Sequence, residues 1–586
     1  MTDNKYNLLV HVLDKIAKSA PKNLGIYHPE QDNTDAEIHK RSRSFIHLFL
    51  KVRFGILDFD ISELQITDGT NDGGLDAYHI DEEEKKIYLI QSKFSATSEN
   101  FETNPVNGYE FFRMELDRII SDGKNTLKNG NGYNGKIIDF QKKLQNIQNL
   151  NRYEYILVYL GNVSSRIDQK QLLQVSGNVC DVVEIINGET FYKDVLMPYL
   201  QHDFFNQKDF VLKIQVYKNQ SNRISYSVDL GDEIRAGVEL AFVPTKEIAI
   251  MMSKYRNSLL RYNPRCYVGL TRGGVNQAIQ ESMKDTELNE FSLLNNGITI
   301  ICNDFSYSDR NAEPGVATLL VTNPQIVNGG QTAFTLAYLL KNSDNENHFE
   351  NKEVLVKFIT LSESKDMSEV IEKISKATNN QTPVRMADRR SNDEELVQLQ
   401  DYLFNTHGFL LERKRGQFYD VVQNGLVDKN SIISSELLMR LLLVCKGDVA
   451  RARSSGTHAM FKNYSLENID FNLLYLLIKI YRKIDQKEDR TRGVSQKNRY
   501  RMDEWGNGLR YGKYAITYFV YKLLDDNDNQ IDEKMGIAKE KWNDFETTVS
   551  NDPRNENYNV DGFDFANYYK GGTVNDELSE YLEQVQ

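Results

Sequence analysis

The chain has 586 residues, 40% of them hydrophobic and 26% charged, a balance that points to folded globular domains and excludes wholesale disorder. That length exceeds what one hydrophobic core sustains and fits roughly three or four units. A formal net charge of −13 excludes a protein that coats itself in nucleic acid, so any phosphate contact must come from local clusters of Lys and Arg.

In chain order, MTDNKYNLLVHVLDKIAKSA reads as an amphipathic helix whose Asp14 and Lys15 interrupt the apolar run a secretory leader needs. Residues 35 to 54 place Ile38, Phe45, Phe49 and Val52 near helical spacing, which predicts one long helix. The turn-rich stretch ISELQITDGTNDGGLDAY follows, then two strands within LDAYHIDEEEKKIYLIQSK, a Gly/Asn-rich loop at 121 to 136 and the helix IDFQKKLQNIQNL. Strands at 153 to 161 and 181 to 188, and a helix beginning near Glu189, complete an α/β unit over 1–205. Residues 206–240 read as a strand-rich connector and 241–390 as a second α/β region. Helical patterns dominate 391–586, including SSELLMRLLLVC, FNLLYLLIKIYRKI and KYAITYFVYKLL. No run reaches membrane-spanning length, because Arg440 breaks LLMRLLLVC, so the expectation is a cytoplasmic α/β multidomain protein with no membrane association.

Cys180, Cys266, Cys302 and Cys445 form no C-x-x-C pair, and the nine histidines show no zinc-binding spacing. Buried thiols in a reducing compartment and no structural zinc are the expectation. A metal here would be held by oxygen.

The first strand pair carries the chemistry. Antiparallel partners share a constant sum of residue numbers, and a turn between Glu83 and Glu84 sets that sum so that Tyr78 faces Leu89, Ile80 faces Ile87 and Asp76 faces Gln91. Lys93 lies on the same face as Gln91, because strand side chains alternate. Three polar groups thus converge at one end of an apolar ribbon. The chemistry that suits them is phosphodiester hydrolysis with Mg2+ or Mn2+: Asp76 as ligand, the Gln91 side-chain carbonyl and Ser92 backbone carbonyl as further oxygens, and Lys93 to orient water and offset phosphorane charge.

DGGLDAY followed by IYLIQSK resembles the Mrr-like branch of the PD-(D/E)XK nucleases, which implies a restriction-endonuclease-like α/β domain at the N-terminus. The resemblance also implies a helical acid completing the site, and Glu37 in DAEIHKR takes that place. GLD stands where the family has PD, and Gln91 stands where Glu is commoner, which weakens charge neutralisation at the metal. Asp68 and Asp72 are alternative acids in a loop where Asp is expected for local reasons. GNGYNGKI at 130 to 137 has P-loop glycine and lysine spacing but carries Ile137 where Ser or Thr is required, and no strand precedes it, so it is set aside.

In the second half, FSLLNNGITII, NPQIVNGGQTAFTL and KATNNQTPV attach Asn295, Asn296, Asn328, Gln331, Thr332, Asn379, Asn380 and Gln381 to apolar strands and helix starts. Gly329 and Gly330 expose backbone N–H groups just before a helix, an arrangement suited to phosphate or a nucleotide, with Asn328, Gln331 and Thr332 around it. These stretches, with ERKRGQF at 412 to 418, resemble the AIPR family, named for abortive infection and phage resistance, over roughly 240 to 550. NGGQT and NNQTPV are more distantly similar to ParB-like domains, which implies DNA or nucleotide binding. Arg413, Lys414 and Arg415, with Arg389 and Arg390 of the cluster that begins at Arg385, are candidate nucleic-acid contacts.

The expectation is an antiphage defence nuclease: a Mg2+- or Mn2+-dependent N-terminal domain cuts DNA, with RNA as an alternative substrate, and the AIPR region recognises a target or a phage-derived trigger. A homodimer would bring two sites to two strands. The alternative is a non-catalytic sensor that binds a nucleotide or nucleic acid.

Overall fold

The computed structural model describes residues 3–30, 33–82, 84–104, 114–121, 123–163, 179–204, 211–215, 223–229, 235–263, 266, 275–284, 290–308, 315–342, 346–361, 367–378, 390–391, 393–456, 459–461, 470–489, 505–524, 530–559 and 562–585. The architecture is mixed α/β, in two compact units. One comprises Met1–Thr382, Asn405–Gly408 and Gly416–Lys429; the other comprises Pro383–Phe404, Phe409–Arg415 and Asn430–Gln586.

The first unit opens with α1 (Asp3–Lys18), α2 (Thr34–Phe54) and the short α3 (Phe59–Glu63). Asn33 caps α2 by accepting from the Ala36 N–H at 3.1 Å, and Gly55 ends it in the left-handed conformation at φ 66°. The first sheet has the order β1 (Ala77–Asp81), β2 (Lys86–Ser92), β3 (Glu154–Leu160), β4 (Val182–Ile186), antiparallel in its first pair and parallel in the others. Between β2 and β3 runs α4 (Gly135–Asn146), capped by Asn134, whose side chain accepts from the Ile137 N–H at 3.0 Å.

Period-two alternation sorts the sheet's side chains onto two apolar faces. Tyr78, Ile87, Leu89, Leu157 and Tyr159 pack with Ile137, Phe140 and Leu144 of α4. On the other face Tyr88 meets Phe54 of α2, with ring centroids 4.7 Å apart. Helices on both faces explain why β2 and β3 read as nearly unbroken apolar runs.

The strands expected in a connector belong to the central sheets. β5 (Val211–Gln215) pairs with β10 (Val316–Thr322), which also pairs with β9 (Asp304–Ser308). β6 (Arg223–Asp229) pairs with β7 (Arg235–Pro244) in a five-stranded sheet ordered β11 (Gln325–Asn328), β8 (Ile298–Cys302), β12 (Glu353–Leu361), β7, β6. Strand backbone must find partners, and these segments find them there. Val243, Ile300, Val356 and Phe358 pack with Ile248 and Met252 of α5 (Thr245–Tyr255) and Phe334 and Leu336 of α6 (Gly330–Asn342). Part of the other face is covered by Val370, Ile371 and Ile374 of α7 (Met367–Thr378).

The second unit is mainly helical beside the parallel pair β13 (Leu410–Glu412) and β14 (Ile432–Ser434). α8 (Ser435–Cys445), α9 (Phe471–Asp489), α10 (Lys513–Lys522), α11 (Ile531–Asn551) and α12 (Thr573–Val585) enclose a core that includes Trp505, Phe519, Trp542 and Phe545. Among the described residues no helix is long and apolar enough to cross a membrane.

Candidate functional site

The β1–β2 pairing has Tyr78 opposite Leu89 and Ile80 opposite Ile87 and ends with Ala77 opposite Ile90; beyond it the Asp76 N–H donates to the Ile90 carbonyl at 3.0 Å, one residue off that register. Asp76 therefore lies against the end of β2, beside the Gln91–Ser92 peptide. Its Oδ2 accepts the Ser92 N–H at 2.7 Å, and its own carbonyl accepts the Thr67 and Asp68 N–H groups at 2.8 and 2.9 Å. These last two bonds tie the acid loop to the hairpin.

DGTNDGGLD places an acid at every fourth position, and positive φ at Asn71, Gly73 and Gly74 curls the loop so that oxygens of Asp68, Asp72 and Asp76 lie within 4.8 Å of one another. Asp72 holds the curl by accepting from Gly74 N–H at 2.8 Å and Gly69 N–H at 3.0 Å. Gly74 sits at φ 81°, and a Cβ there would lie 3.0 Å from the Met114 Cα. Gly74→Ala should cost about 2 kcal/mol and loosen the loop, read as a lower Tm.

Burial pushes the Asp76 carboxyl up to about 8 against the pull of the Ser92 N–H; Asp68 and Asp72 push it further and Lys93 draws it back. Asp72 is also raised, chiefly by burial, and Lys93 again opposes the rise. The Lys93 ammonium thus lies within electrostatic reach of both acids. Gln91 is 3% exposed and its Oε1 has no hydrogen-bond partner, an orphaned carbonyl on the residue just before Ser92, whose N–H binds Asp76. Three carboxylates and an amide carbonyl fit a hard divalent cation such as Mg2+ or Mn2+.

A pH prediction follows from Asp76. Between its unfolded pKa near 4 and its folded value, the native state binds more protons than the unfolded state, so this group lowers stability as pH rises through that window. Asp76→Asn keeps the acceptor for Ser92 and removes the charge. In EDTA it should be more stable than the parent by about 2 kcal/mol at pH 8.5, with a smaller gain at pH 5, measured by thermal melts.

Glu37, the expected helical acid, lies apart from this cluster. It ion-pairs with Lys40, which also reaches Asp14 of α1 at 3.5 Å. The Asp68 carboxylate is met instead by His39 at 3.8 Å and Arg43 at 3.1 Å. At 100° per residue Glu37 stands about 120° around α2 from Arg43, whereas Ala36 shares the Arg43 direction. Arg43 belongs to a buried network that sequence reasoning missed. Its Nη2 donates to Glu63 Oε1 at 2.6 Å, and its Nε donates to the Tyr27 hydroxyl at 3.2 Å. Glu63 also accepts from Tyr27 at 2.5 Å and from Lys136 at 2.8 Å, and pairs with His47 at 3.2 Å. The available signal was Arg43 and His47, four residues apart within an otherwise apolar helical run. Lys136 of the P-loop-like stretch therefore braces α3.

Among the described residues, Asn295, Asn328, Gln331 and Thr332 bind protein groups. Asn328 donates to the Thr378 carbonyl at 2.6 Å, Gln331 donates to the Cys266 carbonyl at 3.0 Å and accepts from Asn276 at 3.2 Å, and the Thr332 hydroxyl accepts from Asn295 at 3.3 Å. A Cβ on Gly329 would lie 2.8 Å from the Gly297 carbonyl oxygen and one on Gly330 3.1 Å from Asn263 Nδ2, so both glycines serve close packing. Asn379, Asn380, Gln381, Arg385 and Arg389 lie outside the described residues.

Among the described basic candidates, Arg390 and Arg413 bind protein groups. Arg413 donates to Gln400 at 2.7 Å and the Ser391 carbonyl at 2.6 Å; Arg390 pairs with Asp393 at 2.5 Å and donates to the Phe461 carbonyl at 2.9 Å. Lys414 is buried and Arg415 is exposed.

No curated protein and no solved structure matches the chain. The family model described as AIPR protein matches residues 260–556, just over half of the chain, which takes in α6, the amide network around it and most of the helical second unit. The chain belongs to the AIPR protein family.

Proposed function

We propose that this AIPR protein is a metal-dependent endonuclease of antiphage defence, with the phosphodiester-cleaving site in residues 1–205 and target or trigger recognition in the AIPR region. The observation that carries the reading is the cluster of Asp68, Asp72 and Asp76 within the field of Lys93, with Asp76 bound to the Ser92 N–H next to Gln91, whose buried side-chain carbonyl is unpartnered. Asp76, Asp72, Asp68, the Gln91 side chain and the Ser92 carbonyl would hold Mg2+ or Mn2+. Such a cation supplies charge neutralisation and a water of lowered pKa.

The chain's own groups do the rest. Asp76 is fixed by the Ser92 N–H and by the ladder bond to Ile90, so its second oxygen is held for a ligand. Lys93 sets a positive charge beside the acids, where it would offset charge developing on the scissile phosphate. DNA is the favoured substrate and RNA the alternative. The rival reading, a sensor without chemistry, draws on the neutral Gln91 in a position where a carboxylate is commoner.

The test is infection. Cells carrying the parent gene should reduce phage plating, and Asp76→Ala or Lys93→Ala, at equal protein level, should lose that protection. Protection that survives both substitutions overturns the nuclease reading.

A further inference from the structure

We infer that Arg43 is a positioning residue for the cation site, holding the Asp68 carboxylate in place as a ligand. The inference rests on the reading of Asp76 and Gln91 as a cation site. It goes beyond that reading by naming the ligand that Glu37 does not supply and the group that sets it.

Arg43 is 3% exposed, and all three guanidinium nitrogens are occupied. Nη1 donates to both the Asp68 carbonyl at 2.8 Å and the Asp68 Oδ2 at 3.1 Å. Nη2 is taken by Glu63 and Nε by Tyr27, so the guanidinium plane cannot turn without breaking bonds on each side. Glu63 is in turn held by Tyr27, His47 and Lys136, so the clamp is anchored in α2, α3 and α4 together. The other end of Asp68 is fixed as well, because its N–H donates to the Asp76 carbonyl at 2.9 Å. Backbone and side chain are thus set from opposite directions, and the carboxylate is left beside those of Asp72 and Asp76.

Acidic loops often gather without a ligand, but here Asp76 Oδ2 binds the N–H of the Gln91–Ser92 peptide and the buried Gln91 Oε1 lacks any protein donor, which a cation explains and a solvated loop does not. An outer group that orients a metal ligand is commonly worth 10- to 100-fold in metal affinity. Arg43→Lys keeps the positive charge but loses the fork that spans Asp68, Glu63 and Tyr27, so this substitution separates orientation from charge.

The experiment is isothermal titration of the full-length protein with Mn2+, for the parent, Arg43→Lys, Asp68→Asn, the double variant and Asp76→Asn. Arg43→Lys and Asp68→Asn should each weaken Mn2+ binding about 10- to 100-fold. The double variant should be no weaker than Asp68→Asn alone, because Arg43 acts through Asp68; a general loss of packing would add instead. Mn2+ affinity unchanged in Arg43→Lys, or losses that add, overturn the inference. Should Arg43→Lys fail to fold, Asp68→Asn decides by itself: parent-like binding rules Asp68 out as a ligand. Binding that needs Asp76 but not Asp68 overturns this inference and leaves the cation site standing, whereas a parent that binds no Mn2+ overturns both.

Discussion

Lys93→Ala is expected to lower metal-dependent cleavage by a factor on the order of 10² to 10³ while leaving the fold and Mn2+ binding in place. The backbone at this position is secured independently of the side chain, since the Lys93 N–H donates to the Leu160 carbonyl of β3 at 2.8 Å. What the substitution removes is the ammonium that lies within electrostatic reach of Asp72 and Asp76. The charge that develops on the phosphate then loses that compensation. Asp76→Ala should behave differently and lose Mn2+ binding and cleavage together, because it deletes one of the proposed ligands. Single-turnover cleavage beside a Mn2+ titration separates the two. Parent-like cutting by Lys93→Ala would remove that residue from the mechanism.

The second large effect is on stability. Glu63→Gln should destabilise the protein by about 3 kcal/mol, because Arg43 then loses one of the two carboxylates that compensate it and Lys136 loses its partner. Burial alone would raise the Glu63 carboxyl, but bonds from His47, Arg43, Lys136 and Tyr27 overcome it and hold the group well below the usual carboxylate range. A depressed carboxyl contributes fully above its unfolded pKa near 4.5 and loses that contribution as pH falls toward the folded value. The gap between parent and Glu63→Gln should therefore be widest at neutral pH and shrink by pH 3, measured by urea unfolding. A gap that stays constant with pH would mean that the carboxylate charge is not what holds α2, α3 and α4 together.

How far the sequence could be read depended on the range of the interaction. Period-two alternation and the constant sum of a hairpin are local, so the pairing of Tyr78 with Leu89 was legible in the residues alone, whereas at Asp76 the bond runs to Ile90, one residue off that sum. Helical phase is local too, and a wheel centred on Arg43 turns Glu37 toward α1 and Arg43 toward the acid loop. The Arg43–Glu63 pair joins positions 20 apart, and Lys136 reaches Glu63 across 73. Nothing in composition announces such contacts. Asp68 and Asp72 were visible as residues, but acids are common in turns, and only the folded loop shows three carboxylates converging. Short polar motifs were legible only as residues: Asn328, Gln331, Thr332 and Arg413 stand out in one dimension, and the fold shows that they join its own segments. β5 read as part of a connector because its partner β10 comes much later in the chain, and β6 because β7, which starts in the same stretch, joins its sheet only through β12.

The most direct test of the nuclease reading is incubation of the purified full-length protein with supercoiled plasmid and, separately, RNA, in Mg2+, Mn2+ or EDTA, beside Lys93→Ala and Asp76→Ala. The prediction is cleavage of one of these substrates by the parent with either metal, none in EDTA and none by either variant. Equal cutting by the variants, or intact plasmid and RNA after incubation with a parent shown to bind Mn2+, would contradict it.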